Sequence, residues 1–297
     1  MELEQSLAEF EAQGLSVAAV SYDTREILAH FATRMGGLHY PLLADPDSTI
    51  IRAFGVINRN VPEDNAAYGM ARPGTFIVDA AGVVKSKYFE PGHRQRFTAE
   101  TVLVREFGVG GGSRMRIDTD HFRMNAYPSQ SVARRGNRVT LVMEIELPPK
   151  MHLYAPGVEG YKPVSVTVAD NPSLRVHETT FPEPEILQLA AIQERVPVYQ
   201  NSVRILQDVT ISPRMPGWDT EDTTTLTIPT TFRYQACDDK VCFLPAELPV
   251  AFELEVIPHD GDRVPDEIQH KAKTSSRLRQ GFGVPRPLRE RRRGVDE

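Results

Sequence analysis

Residues 234–243 read Tyr-Gln-Ala-Cys-Asp-Asp-Lys-Val-Cys-Phe and contain the only two cysteines of the 297-residue chain, Cys237 and Cys242. The segments on either side, residues 225–234 and 247–256, alternate between apolar and polar side chains as β-strands do. Two strands joined by a short polar turn form a hairpin, which brings both sulfurs into bridging range, with Cα atoms roughly 4.4–6.8 Å apart. The pattern favours a redox-active dithiol/disulfide in which Cys237 and Cys242 are the catalytic residues.

Three other interpretations of the cysteine pair stay open. A structural disulfide requires the same geometry, and two buried free thiols would behave as small apolar side chains. A zinc site is the least favoured, because it needs two more ligands and no histidine lies between His177 and His259. We therefore predict that the chain uses no metal and no cofactor.

Composition excludes two classes of partner. The net charge of −6 and pI near 5.8 disfavour a nucleic-acid-binding protein, whose phosphate-tracking surface needs net positive charge. No apolar run approaches the ~20 residues of a membrane span, so we expect no direct membrane insertion. Disulfide chemistry favours an oxidising compartment, and we expect the periplasm. Residues 1–7 lack the basic and apolar regions of a signal peptide, which leaves the cytoplasm as the alternative.

The first half of the chain alternates helical and strand patterns, which predicts an α/β architecture. Asp23 is the expected N-cap of one helix, with Glu26 completing a capping box, and Thr98 is the expected N-cap of the last helix. Further predicted elements are an opening helix that ends near Gly14, strands at 15–22 and 40–44, a short helix at 48–54, and a hairpin of residues 74–79 and 83–89.

Four stretches of this half resemble the AhpC/TSA-type peroxiredoxins: Tyr40-Pro-Leu-Leu-Ala-Asp-Pro-Asp-Ser-Thr, Phe54-Gly-Val, Arg72-Pro-Gly-Thr-Phe-Ile-Val-Asp and Gly82-Val-Val. The resemblance covers residues 1–107 and implies a thioredoxin-like fold. In that family a peroxidatic cysteine opens the first helix after a central strand, but residues 1–236 here contain no cysteine. Arg72 resembles the active-site arginine of the family and is expected to be vestigial, and no peroxidase activity is expected from this chain.

The family's central strand would lie between the strands predicted at 15–22 and 74–79. Without it, buried backbone groups on both sides would lack partners, which is energetically costly. The two strands could pair directly, another segment could fill the gap, or the natural start could lie upstream of Met1. We expect the last of these, an incomplete thioredoxin-like domain belonging to a longer parent chain.

Beyond a glycine-rich linker predicted at residues 108–119, the sequence period changes to two. Residues 139–147 alternate as a half-buried strand does, and short strands with many turns predict an all-β sandwich of about seven strands. Other strand candidates in this half are residues 163–169, 174–177 and 203–211.

Residues 120–258 resemble the N-terminal periplasmic domain of the DsbD thiol:disulfide interchange protein. The matching stretches are His152-Leu-Tyr-Ala-Pro-Gly, Tyr161-Lys-Pro-Val, Val198-Tyr199 and the cysteine segment Tyr234-Gln-Ala-Cys with Val-Cys-Phe-Leu-Pro. The resemblance implies an immunoglobulin-like sandwich whose cysteines take electrons from a membrane-embedded thiol reductase and pass them to soluble thioredoxin-fold proteins. It also implies that Cys242 is the attacking sulfur.

The surroundings of the pair are predicted less directly. Tyr154 and Tyr234 are candidates for a wall around the sulfurs, with ordinary sandwich packing as the alternative. The DsbD-type domains shield the pair with a cap-loop aromatic flanked by acids, and the corresponding stretch here offers Ile192 among alanines. The residues after the sandwich, 259–297, are predicted to be a disordered basic tail rather than a binding segment.

These observations favour a thiol:disulfide oxidoreductase or electron relay of the antioxidant type, working through one cysteine pair and supporting peroxide reduction. Two alternatives remain: a redox-inactive adaptor with a structural disulfide, and a fragment of an AhpC/TSA-type peroxide reductase without its catalytic segment.

Overall fold

The computed structural model describes residues 2–90, 95–189, 194–212, 223–258 and 265–269. The predicted tail at 259–297 therefore lies outside the described residues except for 265–269. Within these ranges, none of the helices has the length and apolar character that crossing a membrane requires.

The first half contains the α/β elements that the sequence predicts. Strands β1 and β2 pair in parallel, and β3 and β4 form the predicted antiparallel hairpin. The bounds of the helices are α1 Glu2–Gln5, α2 Leu7–Ala12, α3 Arg25–Arg34, α4 Thr49–Ala53 and α5 Ala99–Phe107, and those of the strands are β1 Ala19–Ser21, β2 Leu42–Ala44, β3 Gly74–Val78, β4 Val84–Phe89 and β5 Arg96–Phe97.

Two helix starts test the predicted caps. Thr98 caps α5, as predicted, by accepting a hydrogen bond from the Thr101 N–H. The prediction of Asp23 as the cap of α3 was wrong: Thr24 is the N-cap and accepts from the Ile27 N–H. The Asp23 carboxylate instead accepts a hydrogen bond from the Ser21 hydroxyl, so it stays with the preceding strand.

Strands β1 to β4 of the first half form two separate two-stranded sheets, whereas β5 pairs with β9 (Asn137–Glu146) of the second half. Among the described residues, neither β1 nor β2 is hydrogen-bonded to β3 or β4, so direct pairing of the two regions, one of the three alternatives, does not occur there. A small core of Phe10, Tyr88, Val102 and Leu103 holds α2, β4 and α5 together.

The second half is built almost entirely of antiparallel strands arranged in three sheets. The large sheet has the order β12-β15-β9-β7-β6, with β5 added on β9; the hairpin sheet has the order β11-β16-β18-β8; and the site sheet has the order β13-β14-β10-β17. The strand bounds are β6 Met115–Asp118, β7 Arg123–Pro128, β8 Val132–Arg134, β9 Asn137–Glu146, β10 His152–Tyr154, β11 Ser165–Val168, β12 Leu174–Thr180, β13 Glu185–Leu189, β14 Glu194–Gln200, β15 Ser202–Ile211, β16 Thr224–Tyr234, β17 Ala236–Cys237 and β18 Ala246–Ile257.

The strands that flank the cysteines form the predicted hairpin. β16 and β18 pair without interruption from Thr224 opposite Val256 to Tyr234 opposite Ala246. Their inward side chains, including Phe232 and Phe252, pack against those of the large sheet, including Met143 and Ile205, in one buried core. The two sheets therefore form a sandwich, although the described strands outnumber the seven expected because short edge strands extend each sheet.

Part of the predicted linker is ordered structure that packs on the sandwich. Residues 115–118 form β6, which pairs with β7, and the Gly112 N–H donates to the Pro128 carbonyl. Gly111 has φ +106°, and a Cβ there would lie 2.6 Å from the Tyr127 ring. Only glycine satisfies both the positive φ and the close approach, so Gly111 is required by the local structure.

Helix α5 covers the outer face of the large sheet. Its Val104 is fully buried with Tyr127, Val142 and Leu206. Strand β9, expected to be half-buried, is consequently buried on both faces through most of its length. The two halves of the chain thus share a buried contact.

A group of buried ions lies beside this contact. The Asp208 carboxylate accepts from Arg105 Nη1 at 2.9 Å, from Arg138 Nε at 2.8 Å and from Thr140 Oγ1 at 2.6 Å. Arg138 also donates to Glu90 at 2.8 Å. Asp208 is 3% exposed, so its charge depends on these partners rather than on water.

Candidate redox site

The cysteine pair lies where the chain passes from one sheet to another. After Tyr234 the chain leaves the hairpin sheet, and Ala236 and Cys237 pair with Leu153 and His152 of β10 in the site sheet. Cys242 begins the return path and forms an antiparallel bridge with Cys237. The change of sheet places both cysteines at the end of the β16–β18 hairpin, with Cys237 in β17 and Cys242 on the loop that follows it.

The two cysteines form a disulfide, with Cα atoms 4.2 Å apart. The loop between them is fixed by Asp238, whose carboxylate accepts from the N–H groups of Lys240 and Val241, each at 2.7 Å. These hydrogen bonds hold the pKa of Asp238 below its usual range. The Phe243 N–H donates to the Ala236 carbonyl at 2.9 Å, which closes the loop on its other side. The turn therefore holds the two sulfurs together, with the Cα atoms slightly closer than the predicted range of roughly 4.4–6.8 Å.

The two cysteine residues differ sharply in exposure. Cys237 is 0% exposed and packs with Tyr154, Val196 and Val198. Cys242 is exposed. A molecule in solution can therefore reach Cys242 directly, whereas Cys237 is covered.

Tyr154 contacts both sulfurs through its hydroxyl. Its Oη lies 3.2 Å from Cys237 Sγ and 3.5 Å from Cys242 Sγ. The Tyr154 ring stacks on that of Tyr161, with centroids 4.2 Å apart and planes inclined by 16°. Tyr161 in turn donates to Glu194 Oε2 at 3.0 Å. Burial, followed by the Tyr161 phenol and the Glu194 charge, raises the pKa of Tyr154 to about 12, so Tyr154 keeps its proton at neutral pH.

A histidine shares the sulfur-bearing face of the site sheet. His152 lies opposite Cys237 across β10 and β17 and is 2% exposed. Burial lowers its pKa, which favours the neutral imidazole. The outer side of the loop is charged instead: Asp239 accepts from Lys150 Nζ at 2.7 Å, and this contact lowers the pKa of Asp239.

The remaining predicted site residues lie elsewhere. Tyr234 is buried in the sandwich core with Phe122 and Phe232, and its hydroxyl is 3.2 Å from His121 Nδ1. Ile192 lies outside the described residues. Arg72 is exposed in the first half, where its N–H donates to the Val56 carbonyl just before β3. Of the predicted wall residues, the structure thus brings Tyr154 to the sulfurs and turns Tyr234 to the core.

Sequence reasoning did not select Tyr161, Glu194 or His152. Tyr161 and His152 lie in stretches that match the DsbD-type domain, but nothing in their spacing shows that one stacks on Tyr154 and the other faces Cys237. Glu194 begins β14, and only the pairing of β14 with β10 brings that part of the chain near the site. Such strand pairings join segments that are far apart in the sequence, so no local sequence pattern predicts them.

Two family models match separate parts of the chain. Residues 1–87 match the AhpC/TSA family, and residues 124–253 match the N-terminal region of the thiol:disulfide interchange protein DsbD.

Curated relatives of the peroxiredoxin type match about a third of the chain. A protein of Mycobacterium tuberculosis that is named as a peroxiredoxin is 36% identical over 84 residues, which is 28% of this chain and 52% of the relative. Alkyl hydroperoxide reductase C of Pseudomonas aeruginosa is 31% identical over 97 residues, 32% of this chain and 48% of the relative. The chain thus spans about half the length of these relatives.

Solved structures align at low similarity. The N-terminal periplasmic domain of ScsB from Proteus mirabilis has 14% identity and a TM-score of 0.32, covering 48% of this chain and 49% of that one. The reduced N-terminal domain of DsbD from Neisseria meningitidis has 11% identity and a TM-score of 0.27. The alignment covers 37% of this chain and 74% of that one. By its family matches, the chain joins a segment similar to AhpC/TSA peroxiredoxins to one similar to the DsbD N-terminal domain.

Proposed function

We propose that this chain carries out thiol–disulfide exchange through Cys237 and Cys242 and serves as an electron relay. The observation that carries the proposal is the unequal exposure of the two cysteine residues: Cys242 is exposed and Cys237 is 0% exposed. Exchange requires one sulfur that a partner can reach and a second that breaks the mixed disulfide. The pair supplies one of each.

The exchange begins at the exposed sulfur. A donor thiolate attacks Cys242 Sγ, a new S–S bond forms between donor and Cys242, and the Cys237–Cys242 bond breaks. Its electron pair goes to Cys237 Sγ as a thiolate, toward which the Tyr154 hydroxyl, 3.2 Å away, can donate a hydrogen bond. A second donor thiol then displaces Cys242, so the donor becomes a disulfide and this chain becomes a dithiol.

The same steps in reverse order pass the electrons to an acceptor protein. The Cys242 thiolate attacks a disulfide of the acceptor, and Cys237 then attacks Cys242 Sγ and releases the reduced acceptor. This order agrees with the attacking role that the DsbD resemblance implies for Cys242. We also propose that the surrounding sandwich is immunoglobulin-like, as in that domain.

The partners proposed are thioredoxin-fold proteins, with a membrane-embedded thiol reductase as the source of electrons. Two side chains support docking of another protein at the exposed sulfur. Val241 and Leu244 flank Cys242 and are 51% and 86% exposed, which gives an approaching protein apolar surface to bury beside the reactive sulfur.

The AhpC/TSA-like half contains no cysteine, so thiol chemistry within this chain runs through Cys237 and Cys242. We propose that the pair supports peroxide or other antioxidant reduction in association with that half. The alternative, a redox-inactive adaptor, makes the disulfide a structural staple. The short loop argues against it, because closing so few residues stabilises a fold by only about 2 kcal/mol in the chain-entropy model.

Electron exchange with a thioredoxin tests the proposal. The oxidised chain, mixed with reduced bacterial thioredoxin, is expected to gain two free thiols, counted by alkylation and mass spectrometry. The variant with both Cys237→Ser and Cys242→Ser is the control and should leave the thioredoxin reduced. A wild-type chain whose disulfide persists against excess reduced thioredoxin would contradict exchange and favour the structural staple.

A further inference from the structure

Breaking the disulfide removes the covalent link between Cys237 and Cys242. When Cys242 is bound to a partner in a mixed disulfide, Cys237 must attack it, and this attack is fast only while the two sulfurs stay close and aligned. Cys237 lies in β17, whereas Cys242 ends the cysteine loop, which we define as residues 238–242. Exchange therefore requires contacts that hold the cysteine loop in place without the S–S bond.

The side chain of Gln235 supplies two hydrogen bonds at this point. Gln235 lies between β16 and β17 and is half-buried. Its Nε2 donates to the Phe243 carbonyl at 3.1 Å, and its Oε1 accepts from the Lys162 N–H at 3.0 Å. Phe243 directly follows Cys242, and its N–H donates to the Ala236 carbonyl at 2.9 Å. The N–H and the carbonyl of Phe243 are thus both fixed, the carbonyl by Gln235.

The second partner of the Gln235 amide belongs to a segment that is anchored to the site sheet. Lys162 lies in the connection between β10 and β11, residues 155–164. The ring of Tyr161 in this connection stacks on Tyr154, with centroids 4.2 Å apart. The Tyr161 hydroxyl donates to the Glu194 carboxylate of β14 at 3.0 Å. The amide therefore fastens the cysteine loop to a segment that the neighbouring strands hold in place.

We propose that Gln235 is a positioning residue for thiol–disulfide exchange, whose amide ties the cysteine loop to the connection between β10 and β11 and keeps Cys242 beside Cys237 after the disulfide breaks. This inference rests on the exchange function proposed above. In the resolving step, the Cys237 thiolate attacks Cys242 Sγ, the S–S bond of the pair forms, and the bond between Cys242 and the partner breaks. The electron pair of that bond leaves with the partner sulfur as a thiolate.

The tie also keeps both sulfurs near the Tyr154 hydroxyl. Tyr154 Oη lies 3.2 Å from Cys237 Sγ and 3.5 Å from Cys242 Sγ, so one donor can serve either sulfur. This arrangement lasts only if the cysteine loop does not move away from Tyr154. Gln235 meets the condition, because its amide joins the cysteine loop to the connection whose Tyr161 stacks on Tyr154.

Two substitutions divide the contacts of the Gln235 side chain. Gln235→Glu keeps an oxygen that accepts from the Lys162 N–H, but it replaces the donor to the Phe243 carbonyl with a second acceptor. Gln235→Met is similar in size and makes neither hydrogen bond. Gln188→Glu is the matched control for charge, since Gln188 is exposed on β13 and two strands separate β13 from β17 in the site sheet.

The test separates the two steps of disulfide formation. The reduced full-length chain is mixed with dithiobis(nitrobenzoate), an aromatic disulfide that releases a yellow thiolate at each attack. Cys242 releases the first thiolate in a phase whose rate depends on reagent concentration. Cys237 then attacks Cys242 and releases the second in a phase independent of reagent concentration.

Gln235→Glu and Gln235→Met are expected to slow the second phase about tenfold or more, because a displaced sulfur loses the alignment that makes an intramolecular attack fast. The first phase should stay within twofold of wild type, since Cys242 is exposed. Gln188→Glu should change neither phase. In glutathione buffers, a tenfold smaller equilibrium constant for disulfide formation should raise the reduction potential of the Gln235 variants by about 30 mV.

Three results would overturn the positioning role. A second phase within twofold of wild type in either Gln235 variant, or an unchanged potential, would show that the sulfurs stay aligned without the tie. Equal slowing of both phases would assign Gln235 a merely structural role. A wild-type chain that releases no second thiolate would refute the exchange function itself, whereas two wild-type phases with unaffected variants would refute the role of Gln235 alone.

Discussion

Cys237→Ser is expected to leave a thiol that reacts with dithiobis(nitrobenzoate) on the order of 100-fold faster than the thiol left by Cys242→Ser. The first variant retains Cys242, which is exposed, and the second retains Cys237, which is 0% exposed beneath Tyr154 and Val198. Thiol–disulfide exchange needs in-line approach to the sulfur, so access controls the rate. The mixed disulfide formed by Cys237→Ser should then transfer to a single-cysteine thioredoxin and give a covalent complex.

Unfolding provides the control for this comparison. In concentrated denaturant both single-cysteine variants expose their thiol, so their rates should converge. Similar rates in the folded proteins, or a faster reaction in Cys242→Ser, would contradict the assignment of Cys242 as the sulfur that meets the partner.

Asp208→Ala is expected to destabilise the fold by about 3 kcal/mol or more. The substitution leaves the guanidinium groups of Arg105 and Arg138, 21% and 17% exposed, without their shared carboxylate. It also removes the acceptor of the Thr140 hydroxyl. Urea denaturation followed by circular dichroism measures the loss of unfolding free energy.

An exposed ion pair in the same sandwich is the matched control. Arg233 Nη2 lies 2.7 Å from Glu247 Oε1 across β16 and β18, and the two side chains are 61% and 58% exposed. Because water screens such pairs, Glu247→Ala should change the unfolding free energy by less than about 1 kcal/mol. Equal losses in the two variants would show that the buried group does not hold the two halves together.

The cysteine hairpin was predictable because its signals are local. Alternating side chains on both sides of a polar turn fix the register of β16 and β18, and that register brings Cys237 and Cys242 together. The unequal exposure of the two cysteine residues was not predictable. It depends on Cys237 pairing with His152, far away in the sequence, while Cys242 remains on the loop.

The contact between the two halves was missed for a related reason. The alternation of β9 shows which face carries the larger apolar side chains, but not what covers the other face. Val142, among threonine and glutamate on the expected polar face, was the available signal, and it packs against Val104 of α5. The exact start of α3 was also not predictable from the sequence. Two adjacent residues, Asp23 and Thr24, are both of a type that favours the N-cap position, and the structure uses Thr24.

The most direct measurement of the central claim is the reduction potential of the Cys237–Cys242 disulfide. The protein is equilibrated with thiol/disulfide buffers of known potential, and the reduced fraction is counted by alkylation and mass spectrometry. A relay that exchanges electrons through the exposed Cys242 predicts a potential above about −300 mV, within reach of thioredoxin-fold partners. A potential far below about −300 mV would mark a resistant structural bridge and contradict the proposed function.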